Sequence, residues 1–406
     1  MRVVVCFFYA PFSPFRFLFS DFLEKNMPFY FVLSPICAIF AVSINIRSFL
    51  RYQKYTQMRV LIVNTSEKTG GAAVAANRLM DALNNNGVKA KMLVRDKETE
   101  DITVVSLPRS LRLQWNFLWE RWCVFWHLHF SRQRLWEVDM ATSGTDITKL
   151  REFQEADVIH LSWINQGMLS LKNIRKIIRS GKPVVWTMHD LWPATGICHY
   201  ARGCNRYASA CGNCPLLPNK GSKNDLSAKI FRRKKELYHR GAISFVTCSR
   251  WLERQAKGSG LFVGQRITNT PNPIDTHVFC PQDQAEARLR AGLPADKHII
   301  LFVSQRVTDE RKGMRYFIEA IDRLVARYPE MKENTAIAIL GGHSEEVNLT
   351  LPSYSLGYVS DEKQIVAIYN SADAFVLPSL EDNLPNTIME SMACGVPSIG
   401  FRVGGI

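Results

Sequence analysis

Leu380-Glu381-Asp382-Asn383-Leu384-Pro385-Asn386-Thr387-Ile388-Met389-Glu390-Ser391-Met392-Ala393-Cys394-Gly395-Val396-Pro397 sets two carboxylates, Asp382 and Glu390, eight residues apart across the start of a helix. The apolar run Ala374-Phe375-Val376-Leu377 before it reads as a buried strand. Pro385 suits a first helical turn, and Gly395 followed by Pro397 ends the helix. Asp382 therefore falls in a strand-to-helix loop, with Glu390 on the helix. A loop carboxylate accepts hydrogen bonds from sugar hydroxyls, and a helical one can clamp a ribose diol. The amides at the helix start, around Asn386 and Thr387, face a diphosphate. The competing reading is an ordinary strand, loop and helix with solvated acids; phosphate-binding groups elsewhere in the chain argue against it.

Outward from this stretch, strand and helix alternate from Met58 onward, which predicts an α/β fold of doubly wound parallel sheets. Strands are expected at Arg59–Asn64, Lys89–Val94, Asp157–Trp163, Pro183–His189 and Ile243–Cys248, with a helix at Ala72–Asn86 closed by Gly87. The turn-rich Asn269–Thr276 reads as an interdomain hinge. A second alternation follows: strand His298–Ser304, helix Met314–Tyr328, strand Thr335–Leu340, helix Lys363–Ser371, strand Ala374–Leu377. The expected domains are 58–275 and 283–406, two Rossmann-like units facing a cleft. No internal repeat or low-complexity tract interrupts them.

Two further loops carry candidate chemistry. Ser66-Glu67-Lys68-Thr69-Gly70-Gly71 places two glycines at the first strand-to-helix junction, where backbone must approach a ligand; a plain tight turn explains them equally, and no G-x-G-x-x-G spacing is present. Ser304-Gln305-Arg306-Val307-Thr308-Asp309-Glu310-Arg311-Lys312-Gly313 follows a strand and precedes a helix. Fixed cations there would stabilise the charge on a departing nucleoside diphosphate without a metal. The alternative is a solvated basic loop.

These motifs resemble those of the retaining GT-B glycosyltransferases of family 4, with Asp382 standing where those enzymes usually carry the first of two glutamates. The resemblance implies that Arg306 and Lys312 bind the diphosphate and that Glu390 holds the ribose. It places Asp382 and His189 at the donor sugar, and Gly70, Gly71, Asn386 and Thr387 at the donor. It also implies an acceptor-side first domain, a nucleotide-sugar-binding second domain and no catalytic metal. Thr187-Met188-His189-Asp190-Leu191-Trp192, Cys198-His199-Tyr200 and Cys211-Gly212-Asn213-Cys214-Pro215 resemble, in order, exopolysaccharide glycosyltransferases of the colanic-acid type. The likeness runs from about Met58 to the terminus. The expected reaction is transfer of a hexose-type unit from a UDP- or GDP-sugar to a glycan or polyprenyl-linked acceptor, with retention, at the inner face of the plasma membrane. The chain would stop at Gly404-Gly405-Ile406 short of the last helix usual in that fold, and is expected to be truncated.

Cys198, Cys204, Cys211 and Cys214 follow a C-x5-C-x6-C-x2-C spacing. In a cytosolic protein this favours a structural zinc over disulfides, with reduced thiols as the alternative. Trp115, Trp119, Trp122 and Trp126 recur at helical spacing, flanked by Arg109, Arg112, Arg121, Arg132 and Arg134. Such a stripe is the pattern of a core-facing helix and, with the arginines, of an interfacial helix.

In bulk, 406 residues at 47% hydrophobic and 22% charged can bury two cores, and 51 Lys+Arg against 37 Asp+Glu, a net +14, favours anionic partners. Residues 1–57 form an apolar extension. Its uncharged stretch between Lys25 and Arg47 has the length of a membrane span but is interrupted by Pro28 and Pro35. It reads as either a misassigned start or an anchor. Two rivals remain at this level: a GT-B sugar-nucleotide epimerase or hydrolase, and a zinc-stabilised nucleic-acid-binding protein. The scattered bases argue against the second, and no nucleic-acid partner is expected.

Overall fold

The computed structural model describes the backbone of Val3–Cys6 (β1) and residues 57–406 apart from 109. The candidate span between Lys25 and Arg47, and Arg109, lie outside the described residues. The chain divides at Pro273/Ile274 into two compact units.

The first unit is built on seven strands, β2 (Arg59–Ser66), β3 (Lys89–Asp96), β4 (Val104–Ser106), β5 (Val158–Leu161), β6 (Val184–Met188), β7 (Ile243–Thr247) and β8 (Arg266–Asn269). They lie in the order β4-β3-β2-β5-β6-β7-β8, all pairs parallel. The helices that matter below are α1 (Gly71–Asn85), α2 (Leu111–His127) and α3 (Leu226–His239). Every residue of β5 is buried, as expected of a parallel strand covered on both faces. Trp186, Tyr238, Phe245 and Phe262 form an aromatic cluster at the centre, with ring centroids of Phe245 and Phe262 4.6 Å apart.

In the second unit the strands are β9 (His298–Arg306), β10 (Thr335–Gly342), β11 (Ser353–Gly357), β12 (Ala374–Leu377) and β13 (Ser398–Phe401), with α4 (Met314–Arg327) and α5 (Asn386–Ala393) among the helices. Their order is β1-β13-β12-β9-β10-β11. All pairs are parallel except β1, which runs antiparallel to β13 and covers that edge. The extension thus supplies one strand, which the sequence had not suggested. β4, β8 and β11 were also not foreseen, and all three are edge strands of three to five residues whose definition comes from their neighbours.

The core-facing reading of the tryptophan stripe is overturned. Trp115, Trp119, Trp122 and Trp126 all point to solvent, each about half exposed or more, while the inward face of α2 carries Asn116, Glu120, Arg121 and Val124.

Candidate functional site

Strand order decides where a ligand can sit. In an open parallel sheet the crevice opens at the carboxyl ends of the two neighbouring strands whose connections leave in opposite directions. In the second unit those strands are β9 and β12. β9 ends on Arg306, the loop leaving it carries Arg311 and Lys312, and the loop leaving β12 carries Asp382. The two loops meet: Lys312 Nζ donates to Asp382 Oδ2 at 2.6 Å, and Arg311 Nη1 lies 3.2 Å from the same oxygen. Arg311 Nη1 also donates to Glu381 O at 3.0 Å, Ser379 Oγ to Asp382 Oδ2 at 3.3 Å, and Leu380 N to Arg311 O at 2.8 Å. Burial alone would raise the Asp382 carboxyl, but Lys312 and Arg311 outweigh it and hold it below the usual range. Two glycines make the approach possible. Gly313 (φ 78°) ends the basic loop where a Cβ would collide with Pro378 O, and at Gly404 (φ 60°) a Cβ would collide with Asp382 O.

The other predicted residues of this unit lie at the end of β9 and on α5, in different states. Arg306, the last residue of β9, is exposed and makes no ion pair among the described residues. Asn386 and Thr387 form the first turn of α5, and Thr387 Oγ1 is buried with no hydrogen-bond partner among the described residues. Glu390, buried on α5, accepts a hydrogen bond from the Tyr369 hydroxyl at 2.8 Å. Arg311, Ser379 and Tyr369 were not singled out from sequence. Arg311 could have been, as the neighbour of Lys312; the other two are common residues without a positional signal.

In the first unit the same rule picks out β2 and β5. β2 leads to Gly70, whose φ of 94° and open surroundings make it the N-cap of α1 with Gly71 as first helical residue. Beyond β5 and β6 lie Ser162 and His189. Ser162 Oγ is 3.0 Å from His189 Nε2, and Cys248 Sγ is 3.6 Å from Nδ1. A small hollow opens here, lined by His160, Ser162, Thr187, His189 and Asn272 among others. Burial pushes His189 down to about 4 and His160 to about 3, so both imidazoles are neutral at pH 7. A neutral His189 can orient a hydroxyl but does not supply a charge.

Behind His189 runs a buried charge network that sequence reasoning missed. His199 Nδ1 donates to Asp190 Oδ2 at 2.7 Å and Nε2 to Asp139 Oδ2 at 2.9 Å. Asp139 also pairs with Arg121. Asp190 further accepts from Trp163 Nε1 at 2.9 Å and Trp192 N at 2.8 Å. Burial disfavours the His199 cation, yet the two aspartates outweigh it and push His199 up to about 9. His199 is therefore an imidazolium that locks the strand end bearing His189. Adjacent to it, Cys198, Cys204, Cys211 and Cys214 line one small hollow. Among the described residues, no three of their sulfurs lie within 4.8 Å of one another; only exposed His343, Glu345 and Glu346 meet that spacing. Burial pushes the Cys198 and Cys211 thiols up to about 12.

Comparisons with known proteins bear on both units. Residues 69–278 match the model described as Glycosyltransferase Family 4, and residues 297–406 the one described as Glycosyl transferases group 1. The D-inositol 3-phosphate glycosyltransferase 2 of Catenulispora acidiphila is 32% identical over 152 residues, 34% of this chain and 35% of that protein. The putative colanic acid biosynthesis glycosyl transferase WcaC of Escherichia coli is 24% identical over 250 residues, 60% of this chain and 58% of that one. The chain thus matches about a third of the former's length and under two thirds of the latter's. Among solved structures, the sucrose-phosphate synthase of Thermosynechococcus elongatus superposes with a TM-score of 0.54 at 17% identity, covering 86% of this chain and 82% of that one. HepE of Anabaena with UDP-glucose gives 0.53 at 15%, with the same coverage. Two doubly wound units of the GT-B kind, with the family model alone spanning over half of the residues, place this chain in glycosyltransferase family 4.

Proposed function

We propose that this chain transfers a sugar, with retention, from a UDP- or GDP-sugar to a glycan or polyprenyl-linked acceptor of the cell surface, working at the inner face of the plasma membrane. The observation that carries the reading is the meeting of Lys312 and Arg311 with Asp382 across the β9/β12 crevice, beside a helix start whose Thr387 hydroxyl lacks a partner. Arg306 and Lys312 are the cations for the diphosphate, α5 offers its amides and Thr387, and Glu390 takes the ribose. Asp382 and His189 address the donor sugar. In the step itself the bond from the anomeric carbon to the diphosphate oxygen breaks, and the acceptor oxygen bonds to that carbon from the same face. The acceptor proton passes to the departing diphosphate. Fixed cations would stabilise that anion. HepE, which shares the fold, was solved with UDP-glucose, and this supports a uridine nucleotide among the candidate donors.

The cysteine hollow is proposed to hold a structural zinc on the chemistry of its donors, four thiols facing one space. The sulfurs would have to draw together from their present spacing to share an ion.

A thermal-shift screen of UDP, GDP and dTDP sugars tests the donor. A ligand that binds only the folded chain raises its melting temperature. A rise with one nucleotide family, lost in Lys312→Ala, supports the site; no rise with any of them sinks it.

A further inference from the structure

Helix α2 is inside out. Its inward face is where polar groups have been gathered: Glu120 accepts hydrogen bonds from the backbone N–H groups of Met140, Ala141 and Thr142 at 2.8, 2.7 and 2.8 Å, and Arg121 donates to Leu135 O at 2.6 Å while pairing with Asp139. Outward point Leu111, Trp115, Leu118, Trp119, Trp122 and Trp126, between 46% and 86% exposed, at the spacing of a single helical face. Past the helix end, Phe130 folds back at φ 63° with its ring centroid 5.2 Å from that of Trp126 and 6.5 Å from that of Trp122, so an aromatic cluster closes that end of the stripe. A helix with this inverted distribution leaves an apolar stripe that water alone does not satisfy.

The charge around the stripe identifies what does. Glu120 is the sole acid between Leu111 and His127, and it is buried. The outward face therefore carries no carboxylate, while Arg112 and Arg132 are exposed at its two ends. Indole rings with an apolar body and one N–H favour the boundary between headgroups and acyl chains, and cations at that level attract acidic lipid.

We infer that α2 seats the first unit on an anionic lipid surface, its tryptophan face lying in the plane of the headgroups with Arg112 and Arg132 against their phosphates. This names the surface partner of the enzyme proposed above; it rests on that reading for its purpose but not for the binding. It also gives the surface helix a reason to hold Glu120 and Arg121 inside: their hydrogen bonds fix the helix against the body so that the outward face is presented rigidly.

Co-sedimentation of the full chain with phosphatidylglycerol vesicles and with neutral phosphatidylcholine vesicles tests this. Wild type should favour the anionic vesicles, with a blue shift in tryptophan emission, and lose binding at high salt. Trp119→Ser/Trp122→Ser and Arg112→Glu/Arg132→Glu should each lower partition about tenfold or more, with melting temperature and nucleotide-induced thermal shift unchanged. Those last readouts follow the donor site, so a failed donor site would show there and not in the vesicle assay. Binding equal to wild type in both double variants would place the contact elsewhere in the chain and overturn the inference. So would a wild type indifferent to lipid charge, or tryptophan variants that turn a dimer into a monomer with vesicle binding unmoved.

Discussion

Lys312 and Asp382, 70 residues apart in sequence, form an ion pair of 2.6 Å that joins the two loops bordering the second unit's crevice. One proposed phosphate cation is thus engaged by the first acid of the paired-acid motif. A donor diphosphate would therefore compete with an internal carboxylate for Lys312, while exposed Arg306 needs no such release.

Arg306→Ala and Lys312→Ala are each expected to weaken nucleotide-sugar binding by about 1.5–3 kcal/mol, the usual range for a lost charge-assisted contact. Calorimetric titration measures it. Unchanged affinity in both variants would remove the phosphate assignment.

Arg311→Ala should act differently. Arg311 reaches Asp382 Oδ2 and Glu381 O, so its loss loosens the acid loop. Turnover should fall more than donor affinity, and Arg311→Lys should restore it in part. Steady-state kinetics of the two variants would show the split; an equal fall in affinity would instead make Arg311 a direct phosphate ligand.

Gly313→Ala meets both a left-handed backbone and Pro378 O. It should cost about 1–3 kcal/mol and separate the two loops. A urea melt reads the first effect and nucleotide affinity the second. A variant as stable as wild type would mean that the approach is not tight in solution.

The His199 network predicts a stability profile that falls on both sides of neutrality. The folded value of His199, about 9, lies above its ordinary 6.5, so its stabilisation is whole below about 6.5 and is lost as pH rises through 9. Asp190 is held below its ordinary 3.8, so its contribution is present above that value and lost in acid. His189, pushed down to about 4, works against the fold as pH drops from 6.5, because the unfolded chain takes the proton first. Urea midpoints at about pH 5, 7 and 9.5 check this. In His199→Gln, which removes the cation, the alkaline loss should vanish and stability at neutral pH fall by about 3–5 kcal/mol.

Zinc in the cysteine hollow would appear in elemental analysis of purified protein at one ion per chain. Cys211→Ser and Cys214→Ser should then lose metal and stability together, since structural zinc contributes folding energy directly. Fully folded, metal-free wild type would end that proposal.

Both alternations of strand and helix were legible because parallel strands buried on two faces read as apolar runs; the expected Ala374–Leu377 is β12 residue for residue. Lys312 and Asp382 could be singled out individually by motif, but their mutual contact could not, since it depends on strand order rather than spacing. His199 was visible only as a neighbour of a cysteine. Its charge comes from Asp139 and Asp190, which lie 60 and 9 residues away. Periodicity located α2 but could not say which way its tryptophans faced: that follows from Glu120, whose carboxylate turns inward to accept the backbone N–H groups of Met140–Ser143.

The buried network also constrains how the first unit assembles. Arg121, Asp139, Asp190 and His199 come from four separate segments, and each would pay heavily to leave water before its partners arrive. Such groups cannot dock one at a time. The helix, the segment around Asp139, the end of β6 and the cysteine insert are therefore expected to close together, over long sequence separations. The insert is thus expected to dock cooperatively with the other three segments rather than by itself.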